Sequence, residues 1–159
     1  MTSAPVRMPV VIIVGLLFLA CAASAVAEIP LPEHPRPDFQ RQQWVNLNGT
    51  WDFRFDADDV GLDRGWTEAE AEFLRSITVP FPWGSKLSGV DNEADIAWYR
   101  RSIRVPADWR GQRVFVVIGA CDWHTTAWLD GQKVGSFQGG YTPLQCPMPQ
   151  HHKMSKPQT

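Results

Sequence analysis

Residues 114–143 read VFVVIGACDWHTTAWLDGQKVGSFQGGYTP, and this stretch decides the fold. Together with Arg113 it opens on a continuous apolar run, RVFVVIGA, which is typical of a strand deep in a β-sandwich. Further along, Asp130 and Gly131 stand between two short strand-like runs, and this dipeptide favours the type I′ turn of a hairpin. The stretch therefore predicts a buried strand followed by a β-hairpin.

The segments before this stretch carry the same kind of signal. LNGTWDFRFD (47–56) alternates apolar and polar residues, as a half-buried strand does. SITVP (76–80) and IAWYRRSIRVP (96–106) repeat the alternation, and each ends at a proline that cannot continue a ladder. Strands spaced about 10 to 20 residues apart, without repeating strand and helix units, predict an all-β antiparallel sandwich.

One segment differs from this pattern. WTEAEAEFLRS (66–76) is rich in helix-forming residues, and Thr67 with Glu70 fits a capping box. We interpret it as a short helix or turn inserted between strands. Before the strands, residues 28–43 contain four prolines and no periodic pattern, which indicates an extended lead-in.

The first residues have the features of a secretory signal peptide. Arg7 precedes an apolar run, and Ala25-Val26-Ala27 forms a small-residue cleavage site, so we expect removal of residues 1–27. A membrane anchor needs about 20 apolar residues, which makes it the weaker alternative. A lipoprotein site at Cys21 is also weaker, because Phe18 stands where an aliphatic residue is usual. We expect export to the periplasm or the cell exterior and no stable membrane span after cleavage.

Composition narrows the classes of partner and chemistry. The chain has 20% charged residues and a formal net charge of −2, so it lacks the basic field that nucleic-acid binding requires. Cys121 and Cys146 remain after signal removal, and we expect free thiols, with pairing as the alternative. Without a C-x-x-C spacing, and with four scattered His, no metal or cofactor is predicted. The eight Trp suit either a core or stacking on sugar rings.

Four sequence blocks together carry a family resemblance. In order they are WVNLNGTWDFRFD, ITVPFPWGSKLSGV, AWYRRSIRVPADWRG and VVIGACDWHTTAWLDGQKVGSFQGGYTP. Their order and spacing resemble the N-terminal sugar-binding domain of glycoside hydrolase family 2, the group of β-galactosidases, β-glucuronidases and β-mannosidases. The resemblance implies a jelly-roll sandwich of the galactose-binding type, which we place at residues 44–145. Asp130 stands where the family has Asn, and the turn accepts either residue.

The resemblance ends after residues 139–143. There the family continues with Phe and a strand that closes the sheet, whereas this chain reads LQCPMPQHHKMSKPQT (144–159). Three prolines and two adjacent His do not suit a strand. We therefore expect a sandwich that is incomplete at its C-terminal end, followed by an irregular tail at 146–159, with out-of-frame sequence as one explanation.

The resemblance also implies where catalysis takes place. Retaining glycosidases use two carboxylates about 5 Å apart, and in this family both stand on a (β/α)₈ barrel of about 250 residues. This chain has no room for a barrel, so we assign no catalytic residue and expect a fragment that is inactive alone. Asp91, Glu93 and Asp95 precede a predicted strand, and we expect them to be solvated surface.

The candidate sugar-facing or barrel-facing residues lie near the hairpin. Asp122 and Trp123 precede it, and Trp123 is either a stacking ring or, as we prefer, a core side chain. Gln138, Gly139, Gly140 and Tyr141 follow it and form either a contact loop or a Gly-rich turn. In β-galactosidase-like relatives this loop carries a sugar-contacting acid, and the resemblance places that acid at Gly139, where no side chain is present.

Three functions are consistent with the sequence. The first is an accessory sandwich domain of an exported family 2 glycoside hydrolase, whose partners are the catalytic barrel and, weakly or indirectly, carbohydrate. The second is a free-standing carbohydrate-binding module with exposed Trp residues. The third is a structural interaction domain. The family resemblance favours the first.

Overall fold

A computed structural model describes residues 28–149 except Pro35, Pro37 and Phe39. The predicted signal peptide and residues 150–159 of the predicted tail lie outside the described residues. The described part contains seven β-strands: β1 Gly49–Phe55, β2 Arg75–Val79, β3 Ala97–Arg100, β4 Phe115–Ile118, β5 His124–Leu129, β6 Gln132–Gln138 and β7 Leu144–Pro147. Two single 3₁₀ turns, Lys86–Ser88 and Ala107–Trp109, lie between strands.

The strands form three small antiparallel sheets. Their orders are β2-β1-β3, β4-β7 and β5-β6. The predicted all-β antiparallel architecture is confirmed. Each segment with alternation contains a strand, but in the segment at 96–106 the strand ends at Arg100, well before the proline. The described residues include no helix that is long and apolar enough to cross a membrane.

The main core covers one face of the three-stranded sheet. Alternation along β1 turns Phe53 inward, where it packs with Ile77 of β2 and Val90 of the following loop. Tyr99 of β3 meets the Phe53 ring edge to face, with ring centroids 5.0 Å apart. Trp51, Phe55, Val79, Trp83 and Ala97 surround this cluster. The alternation read from LNGTWDFRFD thus positions the core directly.

The opposite face of the same sheet joins it to the β5–β6 hairpin through tryptophans. Trp98 of β3 stacks on Trp128 of β5, with centroids 5.1 Å apart and ring planes 26° from parallel. Trp66 meets Trp98 edge to face, and the Arg54 guanidinium lies 3.7 Å from the centroid of the Trp66 ring. This aromatic layer fixes the hairpin against β3.

A buried carboxylate organises the loop beneath that layer. Asp56 is 2% exposed and accepts hydrogen bonds from Val60 N–H (2.9 Å), Gly61 N–H (2.8 Å) and Trp98 Nε1–H (2.9 Å). Burial by itself raises the pKa of this carboxyl, but the three donors outweigh burial, so its pKa lies below the ordinary value. A Cβ at Gly61 would lie 2.7 Å from Asp56 Oδ2, which explains the glycine.

Residues 66–70 form turns and a bend, residues 71–74 are irregular, and the segment contains no helix, so the turn interpretation is correct. The Arg100 side chain binds this segment, since its Nη1 donates to the carbonyl oxygens of Ala69 and Ala71. These hydrogen bonds hold the turns against β3, and β2 begins at Arg75. Tertiary contacts override helix propensity here.

The apolar run in β4 is less buried than the sequence suggested. β4 belongs to a two-stranded sheet with only one covered face, and Val117 on the other face is 55% exposed. Val116 and Ile118 face inward opposite Cys146 and Leu144, which are both buried. The expectation of a strand deep in the sandwich is therefore wrong for β4.

The expectation that the closing strand is missing is also wrong. Leu144–Pro147 forms β7 and pairs with β4, so the strand crosses the boundary that we placed at residue 145. Met148 N–H donates to Val114 O at 3.0 Å, and hydrogen-bonded pairs alternate in an antiparallel ladder. Pro147 opposite Phe115 therefore occupies a position where β4 requires no N–H, and the proline is tolerated.

The hairpin prediction is confirmed in detail. Asp130 and Gly131 connect β5 to β6 with φ values of 47° and 75°, as a type I′ turn requires. A bulge between Ala127 and Trp128 shifts the register once.

We predict that Asp56→Asn destabilises the domain by about 2–3 kcal/mol, because an amide nitrogen then faces buried N–H donors. The matched control is Asp52→Asn, whose exposed ion pair with Arg100 at 3.2 Å contributes less than about 1 kcal/mol. Chemical unfolding followed by Trp fluorescence measures both values. Because the folded pKa of Asp56 is lowered, its contribution is present above the unfolded pKa and is lost as pH falls through the folded pKa. Equal effects of the two variants would contradict this role for Asp56.

A second prediction tests the closing strand through its hydrogen-bonding alternation. Cys146→Pro removes an N–H that points to β4 and should destabilise the domain by about 1–3 kcal/mol more than Cys146→Ala, which keeps that N–H. Gln145→Pro removes an N–H that points away and should cost less than about 1 kcal/mol. Urea unfolding measures all three variants. If Gln145→Pro proved as damaging as Cys146→Pro, the pairing of β7 with β4 would have a different register.

Candidate functional site

The residues singled out on either side of the hairpin meet at its open end. His124 and Gln138 form the terminal pair of the β5–β6 ladder, so the residues before β5 and after β6 are neighbours. Gly139 N–H donates to Trp123 O with an N···O distance of 2.6 Å, which extends the pairing past the strands. Residues 122–123 and 139–141 are hereafter called the paired loops.

The paired loops present two aromatic side chains to solvent. Trp123 is 63% exposed and Tyr141 is 99% exposed. The preference for Trp123 as a core residue is therefore wrong. It precedes the first paired residue of β5 and lies at the end of the hairpin, where no opposing strand of the described chain covers it. Exposed aromatic rings of this kind are suited to stacking on an apolar ligand face.

Asp122 precedes Trp123 in the first of the paired loops, and its carboxylate lies against the second loop. A Cβ built on Gly140 would lie 2.8 Å from Asp122 Oδ1, so only glycine leaves room for the carboxylate in this position. Gly139 has φ of 128°, a conformation that side-chain-bearing residues rarely adopt. Within the described chain, the Asp122 carboxylate has no hydrogen-bond or ion-pair partner. The two glycines thus leave room for an exposed acceptor on the same loops as the two aromatic residues.

A short polar row continues from the paired loops along the hairpin. His124 Nε2 lies 3.1 Å from Ser136 Oγ, which in turn lies 3.2 Å from Thr126 Oγ1. These three residues were not predicted from the sequence. Their proximity could have been predicted in part, because His124 and Thr126 are two residues apart in β5 and alternate residues of a strand lie on the same face.

The acidic residues before β3 are separate from this site. Asp91, Glu93 and Asp95 are exposed in the loop that precedes the strand, as expected for solvated surface. The Glu93 carboxylate lies near Gly84, on the loop that follows β2. Gln138, the remaining candidate, is exposed at the end of β6 and pairs with His124.

Other reactive side chains in the described residues are structural. Cys121 and Cys146 are free thiols, as predicted, and burial raises the pKa of the Cys146 thiol. Burial, and secondarily Cys121, raise the pKa of the Tyr99 hydroxyl to about 12. Among residues 28–149, apart from the three not described, no group of three His, Cys, Asp or Glu side chains has the arrangement of a metal site.

Comparison with solved structures gives the same architecture. The β-glucuronidase from Ruminococcus gnavus aligns with a TM-score of 0.57 at 25% identity, covering 67% of this chain and 19% of that enzyme. A β-glucuronidase from an uncultured Clostridium aligns with a TM-score of 0.56 at 26% identity, covering 64% and 18%.

The sequence relatives that match this chain are also β-glucuronidases. β-Glucuronidase from Paenibacillus borealis is 27% identical over 107 residues, which is 64% of this chain and 17% of that enzyme. β-Glucuronidase from Sus scrofa is 26% identical over 126 residues, or 71% and 19%. The chain thus spans about one fifth of the length of the curated relatives that it matches.

A family model decides the assignment. The model of the glycosyl hydrolases family 2 sugar binding domain matches residues 44–155, a range that begins where the predicted sandwich begins and contains all seven strands. The chain belongs to the sugar-binding domain family of glycoside hydrolase family 2.

Proposed function

We propose that this chain is the N-terminal accessory domain of an exported family 2 glycoside hydrolase and that its paired loops contact carbohydrate. The observation that carries the proposal is the pair of exposed rings, Trp123 and Tyr141, on loops joined by the hydrogen bond from Gly139 to Trp123. An indole ring stacks on the C–H face of a sugar, while hydroxyls and carboxylates bind the sugar's hydroxyls at its rim.

The polar groups near the rings support recognition rather than catalysis. Retaining and inverting glycosidases both require two carboxyl groups that flank the scissile bond. The paired loops carry one carboxylate, Asp122, and the acidic loop at residues 91–95 belongs to the segment before β3. We therefore propose that hydrolysis of O-glycosidic bonds takes place on another domain of the full-length enzyme. The names of the relatives make β-glucuronides the first substrates to test for that enzyme.

The position of the paired loops suits contact with a second domain as well as with sugar. They lie at one end of the sandwich, and Gly139 and Gly140 allow another backbone to approach closely. A catalytic domain docked at this end would receive Trp123 and Tyr141 at the rim of its pocket. In this arrangement the accessory domain contributes to substrate binding without supplying a reacting group.

A free-standing carbohydrate-binding module is the second candidate function, and the 63% exposure of Trp123 supports it as well. Such a module requires no further domain, and its paired loops would face solvent permanently. The two functions differ in one observable property. A free-standing module binds sugar with its full affinity as the isolated chain, whereas an accessory domain binds sugar weakly by itself and gains most of its affinity when the catalytic domain is present.

Export is part of the proposal and has its own test. The n-region with Arg7, the apolar run and Ala25-Val26-Ala27 support cleavage before Glu28. We predict that the secreted protein begins at Glu28. Intact-mass spectrometry and N-terminal sequencing measure this N-terminus. An intact Met1 in a membrane fraction would contradict the prediction and favour the anchor alternative.

The carbohydrate contact is tested at the two rings. We predict that Trp123→Ala lowers the affinity for a β-glycoside about tenfold, because loss of roughly 60 Å² of apolar contact costs about 1.5 kcal/mol. Tyr141→Ala should act in the same direction. The matched control is Leu74→Ala, which removes another exposed apolar side chain from the segment before β2 and should leave affinity unchanged. Ligand-observed NMR titration measures all three variants, and equal affinity of Trp123→Ala and Leu74→Ala would refute the contact.

A further inference from the structure

We infer that Asp122 makes the paired loops selective for neutral sugars with adjacent hydroxyl groups and unfavourable to sugars that carry a carboxylate. The inference rests on the proposed function, since it names the class of sugar that the same surface takes. It adds a specificity-determining residue that lies on the loop before β5, one residue before the stacking ring.

The Asp122 carboxylate is available to a ligand. Its residue is exposed, and within the described chain neither of its oxygens is used by a hydrogen bond or an ion pair. A carboxylate accepts two hydrogen bonds side by side, which matches the two O–H donors of adjacent equatorial hydroxyls on a pyranose ring. Hydrogen bonds to a charged acceptor are about twice as strong as those between neutral groups.

The position of the carboxylate is set by the second loop. The Gly139 N–H bond to Trp123 O holds the backbone on both sides, and Gly140 leaves the space in which Asp122 Oδ1 lies. Any side chain at residue 140 would occupy that space, because its Cβ would be 2.8 Å from the oxygen. The acceptor therefore has a defined place on the same pair of loops as Trp123, and a sugar stacked on that ring would present its hydroxyl edge to it.

The charges around the paired loops favour a neutral ligand. Lys133 is the only Lys or Arg in residues 114–143, and it pairs with Trp128 towards the turn, at the far end of the hairpin. None of the ion pairs or cation–π contacts in the described residues places an Arg or Lys at the paired loops. An anionic sugar that contacts Asp122 would meet a like charge, at a cost of about 1 kcal/mol at 4 Å in water.

This selectivity assigns an orientation to the substrate. In an enzyme that acts on glucuronides, the paired loops would contact a neutral sugar residue of the substrate, and the uronate would lie elsewhere. The loops would then recognise the neutral sugar residues of the glycan next to the cleaved bond.

The test compares methyl β-D-glucopyranoside with methyl β-D-glucuronide, which differ only at carbon 6. Ligand-observed NMR titration of the full chain at low ionic strength should show at least about fivefold tighter binding of the neutral glycoside, since 1 kcal/mol corresponds to about this ratio. Asp122→Asn should reduce the ratio to near one, chiefly by improving binding of the glucuronide. Raising the salt concentration should reduce the ratio in the wild type but not in the variant.

Two glycine variants separate the position of the carboxylate from its presence. Gly140→Ala keeps Asp122 and both rings but displaces the carboxylate, so it should weaken binding of the neutral glycoside at least about threefold. Gly119→Ala is the matched control, because a Cβ there would meet no atom within 4 Å and its affinity should equal that of the wild type. Circular dichroism checks that each variant is folded.

The outcomes distinguish this inference from the proposed function. If neither glycoside binds, the proposed function fails and this inference fails with it. If both bind and depend on Trp123 but show no preference, or if Asp122→Asn leaves the ratio unchanged, the carbohydrate contact stands and the selectivity assigned to Asp122 is overturned.

Discussion

The stacking of Trp98 on Trp128 is the contact on which the arrangement of this domain depends. Trp98 belongs to β3 and Trp128 to β5, so their stack joins the three-stranded sheet to the hairpin that carries the paired loops. The other edge of the Trp98 indole is fixed as well, since its Nε1–H donates to the buried carboxylate of Asp56. One side chain thereby ties the core sheet, the loop after β1 and the proposed binding hairpin into a single unit.

Local chemistry made much of the fold predictable from the sequence. The positive φ angles at Asp130 and Gly131 follow from the dipeptide itself, and the turn then sets the register that brings Trp123 next to Gly139. Alternation in β1 was sufficient to place Phe53 in the core. The proximity of the candidate site residues could therefore be predicted from the sequence, because a hairpin brings the residues that precede it close to those that follow it.

The remaining features depend on contacts that no local pattern records. Trp123 is exposed because it lies beyond the last pair of the ladder, and residue type alone favoured burial. β7 accepts Pro147 because residue 147 lies at a position of the β4–β7 ladder where no N–H is needed. That position follows from the register of the two strands and not from composition. The segment at 66–76 forms turns and irregular structure, and Arg100, distant in sequence, binds its carbonyl groups. The last two differences involve partners that are far away along the chain.

Residues on both sides of the hairpin are proposed to form one carbohydrate-contacting surface, and the proposed function and the selectivity of Asp122 both depend on it. The most direct measurement is a ¹H–¹⁵N correlation spectrum of the chain, recorded during titration with a neutral β-glycoside. We expect the indole signal of Trp123 and the amide signals of Gly139 and Gly140 to shift together along one binding curve, while the indole signal of Trp98 stays in place. Shifts confined to other parts of the domain, or no shifts at millimolar ligand, would contradict a shared surface.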